Sequence, residues 1–216
     1  MEIINQLNTF MKNMLVDYAI CGGHAIDIFV GKETRQHKDL DVAVFWDERN
    51  KIIDYMLKDK WDIYEPCGND LFHKIIEINE QKRIKSNIWC VKPENKHYSF
   101  TKNKNKMYTV DFDNSVQIEL DYIEFLFDTR RDGYFLYRRN QDIMLKIDDA
   151  ILYKNNIPYL APEFVLLYKS TSVGFESNQQ DFENALIKIN EKQLAWLYNV
   201  LKIMFPKGHE WLDNKK

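Results

Sequence analysis

Tyr18-Ala19-Ile20-Cys21-Gly22-Gly23-His24-Ala25-Ile26-Asp27, followed after a polar loop by Lys38-Asp39-Leu40-Asp41-Val42-Ala43-Val44-Phe45-Trp46, is the stretch whose reading decides the rest of the chain. An apolar run ends in a glycine pair, an amphipathic segment follows, and a second strand-like run opens with two aspartates separated by one residue. Side chains alternate faces along a strand, so Asp39 and Asp41 point one way while Leu40, Val42 and Val44 point into the core. Two carboxylates held so close repel, and a divalent cation between them relieves the repulsion. Gly22 and Gly23 have no Cβ, so the backbone can turn sharply there and approach a ligand closely. The helix they open aims free N–H groups and the positive end of its dipole at an anion. Alone, a Gly-Gly pair is a turn and an Asp-x-Asp is solvated surface. In this order, with a strand signal on both sides, they describe a phosphate cradle beside a metal site, suited to a nucleoside triphosphate with magnesium.

Working outward, 216 residues with 45% hydrophobic content suffice for one large domain or two small ones. The N-terminus has no basic region followed by an apolar one, and no apolar run reaches membrane-spanning length, so a soluble, cytoplasmic protein without a membrane partner is expected. Cys21, Cys67 and Cys90 are odd in number and scattered, which suits reduced thiols better than disulfides or a zinc site. A net charge of −3 argues against general attraction to nucleic acid. The local exception runs from Lys82 to Lys106, where Lys82, Arg83, Lys85, Lys92, Lys96, Lys102, Lys104 and Lys106 face the single acid Glu94, with Trp89, His97, Tyr98 and Phe100 interleaved. It is either a solvated loop and hairpin face, or a basic rim for triphosphate or a polyanionic partner.

Apolar spacing predicts a helix over 3–16, a short buried strand over 18–21, a helix over 24–30 closed by Gly31, and a helix over 48–58. Asp27 reads as a helix surface residue or a buried partner for Arg35, with the second preferred. Strands are expected over 61–64, ended by Pro66 and the Gly68-Asn69 turn, then over 71–78 and 84–91. Lys102 to Lys106 is too polar for core. In 116–123, Val116, Ile118, Leu120 and Tyr122 fall on one strand face and Gln117, Glu119 and Asp121 on the other, which makes this the expected home of a third carboxylate. Gly133 sits in a hairpin, Pro162 opens a helix, and 179–190 and 191–205 carry helical core stripes.

Gly22-Gly23, a short helix, then Thr34-Arg35-x-His37-Lys38-Asp39-Leu40-Asp41 resembles the signature of the nucleotidyltransferase superfamily that includes DNA polymerase β, most closely its aminoglycoside and lincosamide nucleotidyltransferase branch. Leu160-Ala161-Pro162-Glu163, Leu166-Leu167-Tyr168-Lys169, Asp181-Phe182, Trp196-Leu197 and His209-Glu210-Trp211 are similar to the C-terminal pattern of the aminoglycoside-2''-adenylyltransferase-like family. Two departures stand out: His24 where relatives often have Trp or Ser, and Ser177-Asn178 where they often have Lys-Asp. The resemblance implies an α+β nucleotidyltransferase fold, a mixed sheet flanked by helices, with a catalytic domain over 1–160 and a small helical subdomain over 161–216. It implies transfer of a nucleoside monophosphate, AMP, from a triphosphate, ATP, to a hydroxyl of a small molecule, with pyrophosphate released and a two-metal Mg2+ site. Asp39, Asp41 and Asp121 would hold metal and catalyse, with Glu119 as the alternative third acid. Gly22, Gly23, His24, Arg35 and Lys169 would bind nucleotide. A protein or transfer RNA acceptor, and a nucleotide-binding domain without turnover, are the alternative readings.

Overall fold

A computed structural model describes residues 2–78, 86–113, 115–116 and 118–213. Helix α1 (Glu2–Met14) buries Ile4, Leu7, Met11 and Met14, a stripe at three- and four-residue spacing. Strand β1 (Tyr18–Ile20), helix α2 (Gly22–Val30) and strand β2 (Asp41–Phe45) form the unit read from the glycine pair and the aspartates. β1 is buried throughout, and β2 from Val42 to Phe45, so apolar residues are needed on both of their faces. Helix α3 (Arg49–Lys58) follows a 3₁₀ turn at Trp46–Glu48 and leads to β3 (Asp62–Gly68), β4 (Leu71–Ile75), β5 (Asn87–Val91), β6 (Tyr98–Lys102) and β7 (Tyr108–Phe112). Then come β8 (Tyr122–Arg131), β9 (Tyr134–Leu136), β10 (Met144–Lys146), the single turn α4 (Ile147–Ala150), β11 (Ile151–Lys154) and β12 (Ile157–Leu160). The chain ends in α5 (Pro162–Lys169), α6 (Glu176–Leu186), α7 (Glu191–Met204) and α8 (Glu210–Asp213).

Among the described residues the strands make one mixed sheet in the order β11-β12-β1-β2-β8-β5-β3-β4-β7-β6, with β9 hydrogen-bonded to β8 and β10 to β9. β1 runs parallel to β12 and antiparallel to β2, while β2 runs parallel to β8. One apolar core, from Ile4 in α1 to Trp211 in α8, ties the sheet to the C-terminal helices. α5 is its keystone: Pro162 to Leu167 are all buried. A second, aromatic cluster of Tyr64, Phe72 and Tyr122 with Trp89, Tyr98 and Phe100 covers the outer strands, and the Tyr64 and Phe100 rings stack at 3.6 Å.

Two expectations are corrected, and one hairpin was not foreseen. The strand predicted over 116–123 begins only at Tyr122 and runs to Arg131, because the buried residues that demand sheet pairing are Tyr122, Ile123, Phe125 and Phe127. β3 continues through Pro66, which the Pro66/Gly68 register shift accommodates as an irregularity opposite β4. The polar stretch at 102–106 is the tip of a β6–β7 hairpin whose strands were not predicted. Of the predicted features, Ile84 in the strand over 84–91, Gln117, and Lys82, Arg83 and Lys85 of the basic stretch lie outside the described residues. No described helix is long and apolar enough to cross a membrane.

Candidate active site

The acids gather where β2 lies beside β8. Asp41 opens β2 in register with Glu124 of β8, and the Glu124 N–H donates to the Leu40 carbonyl at 2.9 Å. Registered residues of adjacent parallel strands share a face, so Asp41 and Glu124 project together, and Asp39 lies just before the strand. Burial, then the charges of Asp39 and Glu124, push the Asp41 carboxyl well up, while Lys169 and Arg35 oppose the shift. Glu124 is also raised, first by burial and further by Asp39. Its oxygens accept from the Asn87 amide and, at 3.3 Å, from the Tyr122 hydroxyl. The Trp89 indole N–H, without another partner among the described residues, faces the same carboxyl.

Asp121 is not part of this group. Its carbonyl accepts from Lys92 N–H at 2.8 Å, and its carboxyl lies among Asn95, Glu119 and Glu94. The start of β8 is the reason: Asp121 lies in the turn before the strand begins at Tyr122, whereas Glu124 falls within it, on the face of Leu126 and Asp128 that meets Asp41. Asp121 and Glu119 instead line a separate groove of about 950 Å³ with His24, Lys38, Lys92 and His97. A signal for Glu124 did exist: in the apolar run 122–128 only Glu124 and Asp128 are charged, and they share one strand face.

The glycine pair meets the acids closely. Gly22 has φ +62°, and a Cβ there would lie 2.2 Å from Asp41 Oδ2. A Cβ on Gly23 would lie 2.3 Å from an Arg35 nitrogen and 2.5 Å from the His37 ring. Arg35 grips buried Asp181 with two hydrogen bonds of 2.9 Å, and Lys169 pairs with the same carboxylate at 2.8 Å. These donors hold the Asp181 carboxyl below its ordinary value against the opposing effect of burial. Asp27 is buried as expected, but its partner is not Arg35: it accepts from Thr34 N–H and hydroxyl at 2.9 and 2.6 Å and lies 2.6 Å from His37 Nε2. His24 packs its ring 4.1 Å from that of His37 and faces the large groove rather than the Gly22 side. Burial first, and the neighbouring His37, lower His24 to about 3, so its imidazole is neutral. His24, Asp27 and His37 bring potential ligand atoms within 4.8 Å of one another. Asp27 is already satisfied by Thr34 and His37, so the trio reads as a brace ordering the loop that delivers Asp39.

A cavity of about 240 Å³ opens beside Asp41 and Gly22. Ala43, Leu126 and Asp128 from the sheet line one side, Val165, Tyr168 and Lys169 of α5 the other, and Arg138, Arg139, Ser172 and Asn178 complete it.

A mixed sheet with a glycine-opened helix after β1, and acids at the start of β2 and on its parallel neighbour, is a nucleotidyltransferase fold. The comparisons find the same fold in antibiotic adenylyltransferases. The family model described as aminoglycoside-2''-adenylyltransferase matches residues 3–62. The lincosamide antibiotic adenylyltransferase LnuA, in its lincomycin-bound crystal structure, matches with a TM-score of 0.53 and 17% identity over 85% of this chain and 94% of that one. The antibiotic-resistance factor ANT(2'')-Ia in solution matches with a TM-score of 0.51 and 9% identity over 94% and 95% of the two chains. Its crystal form with adenylyl-2''-tobramycin gives 0.50 and 10% over the same shares. No curated protein sequence matches significantly.

Proposed function

We propose that the protein transfers a nucleoside monophosphate, AMP, from a nucleoside triphosphate to a hydroxyl group of a small molecule, with a lincosamide- or aminoglycoside-like compound as the first acceptor class to test. The observation that carries this reading is the convergence of Asp39, Asp41 and Glu124 beside Gly22, a glycine whose missing Cβ leaves room against the Asp41 carboxylate. Acids whose burial and mutual repulsion raise Asp41 and Glu124 suit a hard divalent cation, so Asp39, Asp41 and Glu124 would hold Mg2+. Bound there, it would neutralise charge on the phosphates.

The chain's own groups do the rest. Backbone N–H groups at the start of α2 receive phosphate oxygens, with Lys169 placed near Asp41 as a countercharge. Asp181 orients Lys169 and Arg35 together, so both cations are fixed before substrate arrives. Glu124, held by Asn87 and Tyr122, is the group positioned to accept the proton of the attacking hydroxyl.

The experiment is pyrophosphate release from each of the four triphosphates with Mg2+, in the presence of lincosamides, aminoglycosides or simpler polyols. Asp39→Asn, Asp41→Asn and Glu124→Gln are expected to lose at least ~10³-fold in rate while remaining folded. Asp121→Asn is expected to keep most of its rate. The reverse pattern, with Glu124→Gln active and Asp121→Asn dead, would remove Glu124 from the site. Release of no pyrophosphate with any acceptor, alongside tight triphosphate binding, would favour a nucleotide-binding domain without turnover.

A further inference from the structure

The transfer chemistry uses one end of the cavity beside Asp41 and leaves Asp128, at the other end, without a role. Asp128 follows Glu124 by four residues on β8, so it shares that strand face about 13 Å further on. An extended nucleoside monophosphate plus one hydrogen bond spans a similar length, so a triphosphate whose α-phosphate sits at Asp41 would carry its base to Asp128. The walls between suit a flat, largely apolar ring: Ala43, Leu126, Leu160 and Val165 line the cavity. Asp128 itself is 3% exposed, and the Tyr168 hydroxyl donates to its Oδ1, which fixes the carboxyl and leaves Oδ2 without a hydrogen-bond partner among the described residues.

We propose that Asp128 selects the nucleobase, with Oδ2 accepting a hydrogen bond from the amino group of a 6-aminopurine or 4-aminopyrimidine and disfavouring bases with an oxygen there. The inference rests on the proposed transfer reading and names the substrate class of that site. A carboxylate oxygen is an acceptor only, so an amino group satisfies it and a carbonyl placed opposite leaves two acceptors facing each other in a buried space. Groups charged or titratable around Asp128 are Cys21 after β1, Tyr137, Arg138 and Arg139 after β9, Tyr168 and Lys169 on α5, and Asp41 across the cavity. Burial pushes the Asp128 carboxyl up to about 7, with Tyr168 and Arg138 pulling the other way, so above that pH it acts as the acceptor.

The test measures dissociation constants by calorimetry with Mg2+ at about pH 8, where the carboxylate predominates. The probes are ATP and its inosine counterpart, which carries an oxygen in place of the 6-amino group, together with CTP and UTP. The unaltered protein is expected to prefer ATP over the inosine analogue, and CTP over UTP, by at least about tenfold. Asp128→Asn, whose amide can also donate, is expected to bring both ratios close to one. Tyr168→Phe, which frees the carboxyl to turn, is expected to narrow them without abolishing them. Equal binding of amino and oxo bases by the unaltered protein, or ratios unchanged in Asp128→Asn, would overturn the assignment while leaving transfer intact. If Asp128→Asn does not fold, the unaltered protein and Tyr168→Phe decide. Binding of no triphosphate at all would instead sink the transfer reading on which the inference stands.

Discussion

At the scale of single residues, Gly22 separates two effects that glycine usually combines. Its φ of +62° costs any L side chain about 1 kcal/mol, and its missing Cβ also makes room for the Asp41 carboxylate. Gly133, in the β8–β9 turn, has φ +80° but open space around it. Gly133→Ala is therefore expected to lose about 1 kcal/mol of stability with transfer activity kept. Gly22→Ala is expected to lose about 1–2 kcal/mol and, because the Asp41 carboxylate must move, at least roughly 10²-fold in rate. Denaturant unfolding and pyrophosphate release measure the two effects separately. Similar activity in both variants would mean that the close approach to Asp41 has no catalytic meaning. This glycine was legible in the sequence because a Gly-Gly pair between a strand and a helix has local causes. Asp181 was not legible as a site residue, since its pairing with Arg35 joins positions 146 apart and such an ion pair leaves no periodic trace.

At the scale of elements, α5 carries the cost of being buried on every side. Glu163 at its start is 5% exposed and its carboxylate accepts from the Gln193 amide of α7 at 2.8 Å. Burial raises Glu163 from 4.5 to about 7. The folded protein therefore holds this proton up to about pH 7, while the unfolded chain releases it near 4.5, so unfolding in that window frees a proton and stability falls as pH rises. Glu163→Gln, which cannot ionise, is expected to flatten this dependence, gaining on the unaltered protein by about 2–3 kcal/mol between pH 4.5 and 8. Urea unfolding at several pH values measures it, and parallel curves for the two proteins would show that α5 tolerates the charge. Helices were legible where periodicity was strong: α1, α2 and α7 follow from their apolar spacing, with Gly31 closing α2. The β6–β7 hairpin was missed because half-exposed outer strands hold Lys, Thr and Ser at outward positions, and only the inward Tyr98, Phe100, Tyr108 and Val110 pack on the aromatic cluster.

At the scale of the whole molecule, the site depends on the order of strands rather than on any one segment. The β1–α2–β2 unit could be read locally, but the partner acid is chosen by β8 lying next to β2 across roughly eighty residues of sequence, and its identity turns on where β8 begins and which of its residues stands in register with Asp41. A strand placed by long-range pairing gives a sequence reader the right neighbourhood and leaves the facing side undetermined. The same arrangement predicts how the molecule responds to ligand. The cavity has one wall from the sheet at Ala43, Leu126 and Asp128 and another from α5 at Val165, Tyr168 and Lys169, so a nucleotide in it bridges two layers that share one core. Anything that binds only the folded state stabilises it by mass action, about 2.7 kcal/mol at a hundred times the dissociation constant. For a chain of this length that corresponds to a rise in Tm of about 5–10 °C. ATP with Mg2+ is expected to give this shift, and either one alone a much smaller one, because acids at Asp39, Asp41 and Glu124 repel the triphosphate without the cation and the cation lacks the phosphates to complete its shell. Adding EDTA to the loaded protein should return the midpoint to its starting value. A full shift from ATP in EDTA would mean that the nucleotide binds away from the three acids, and transfer chemistry at that site would lose its support.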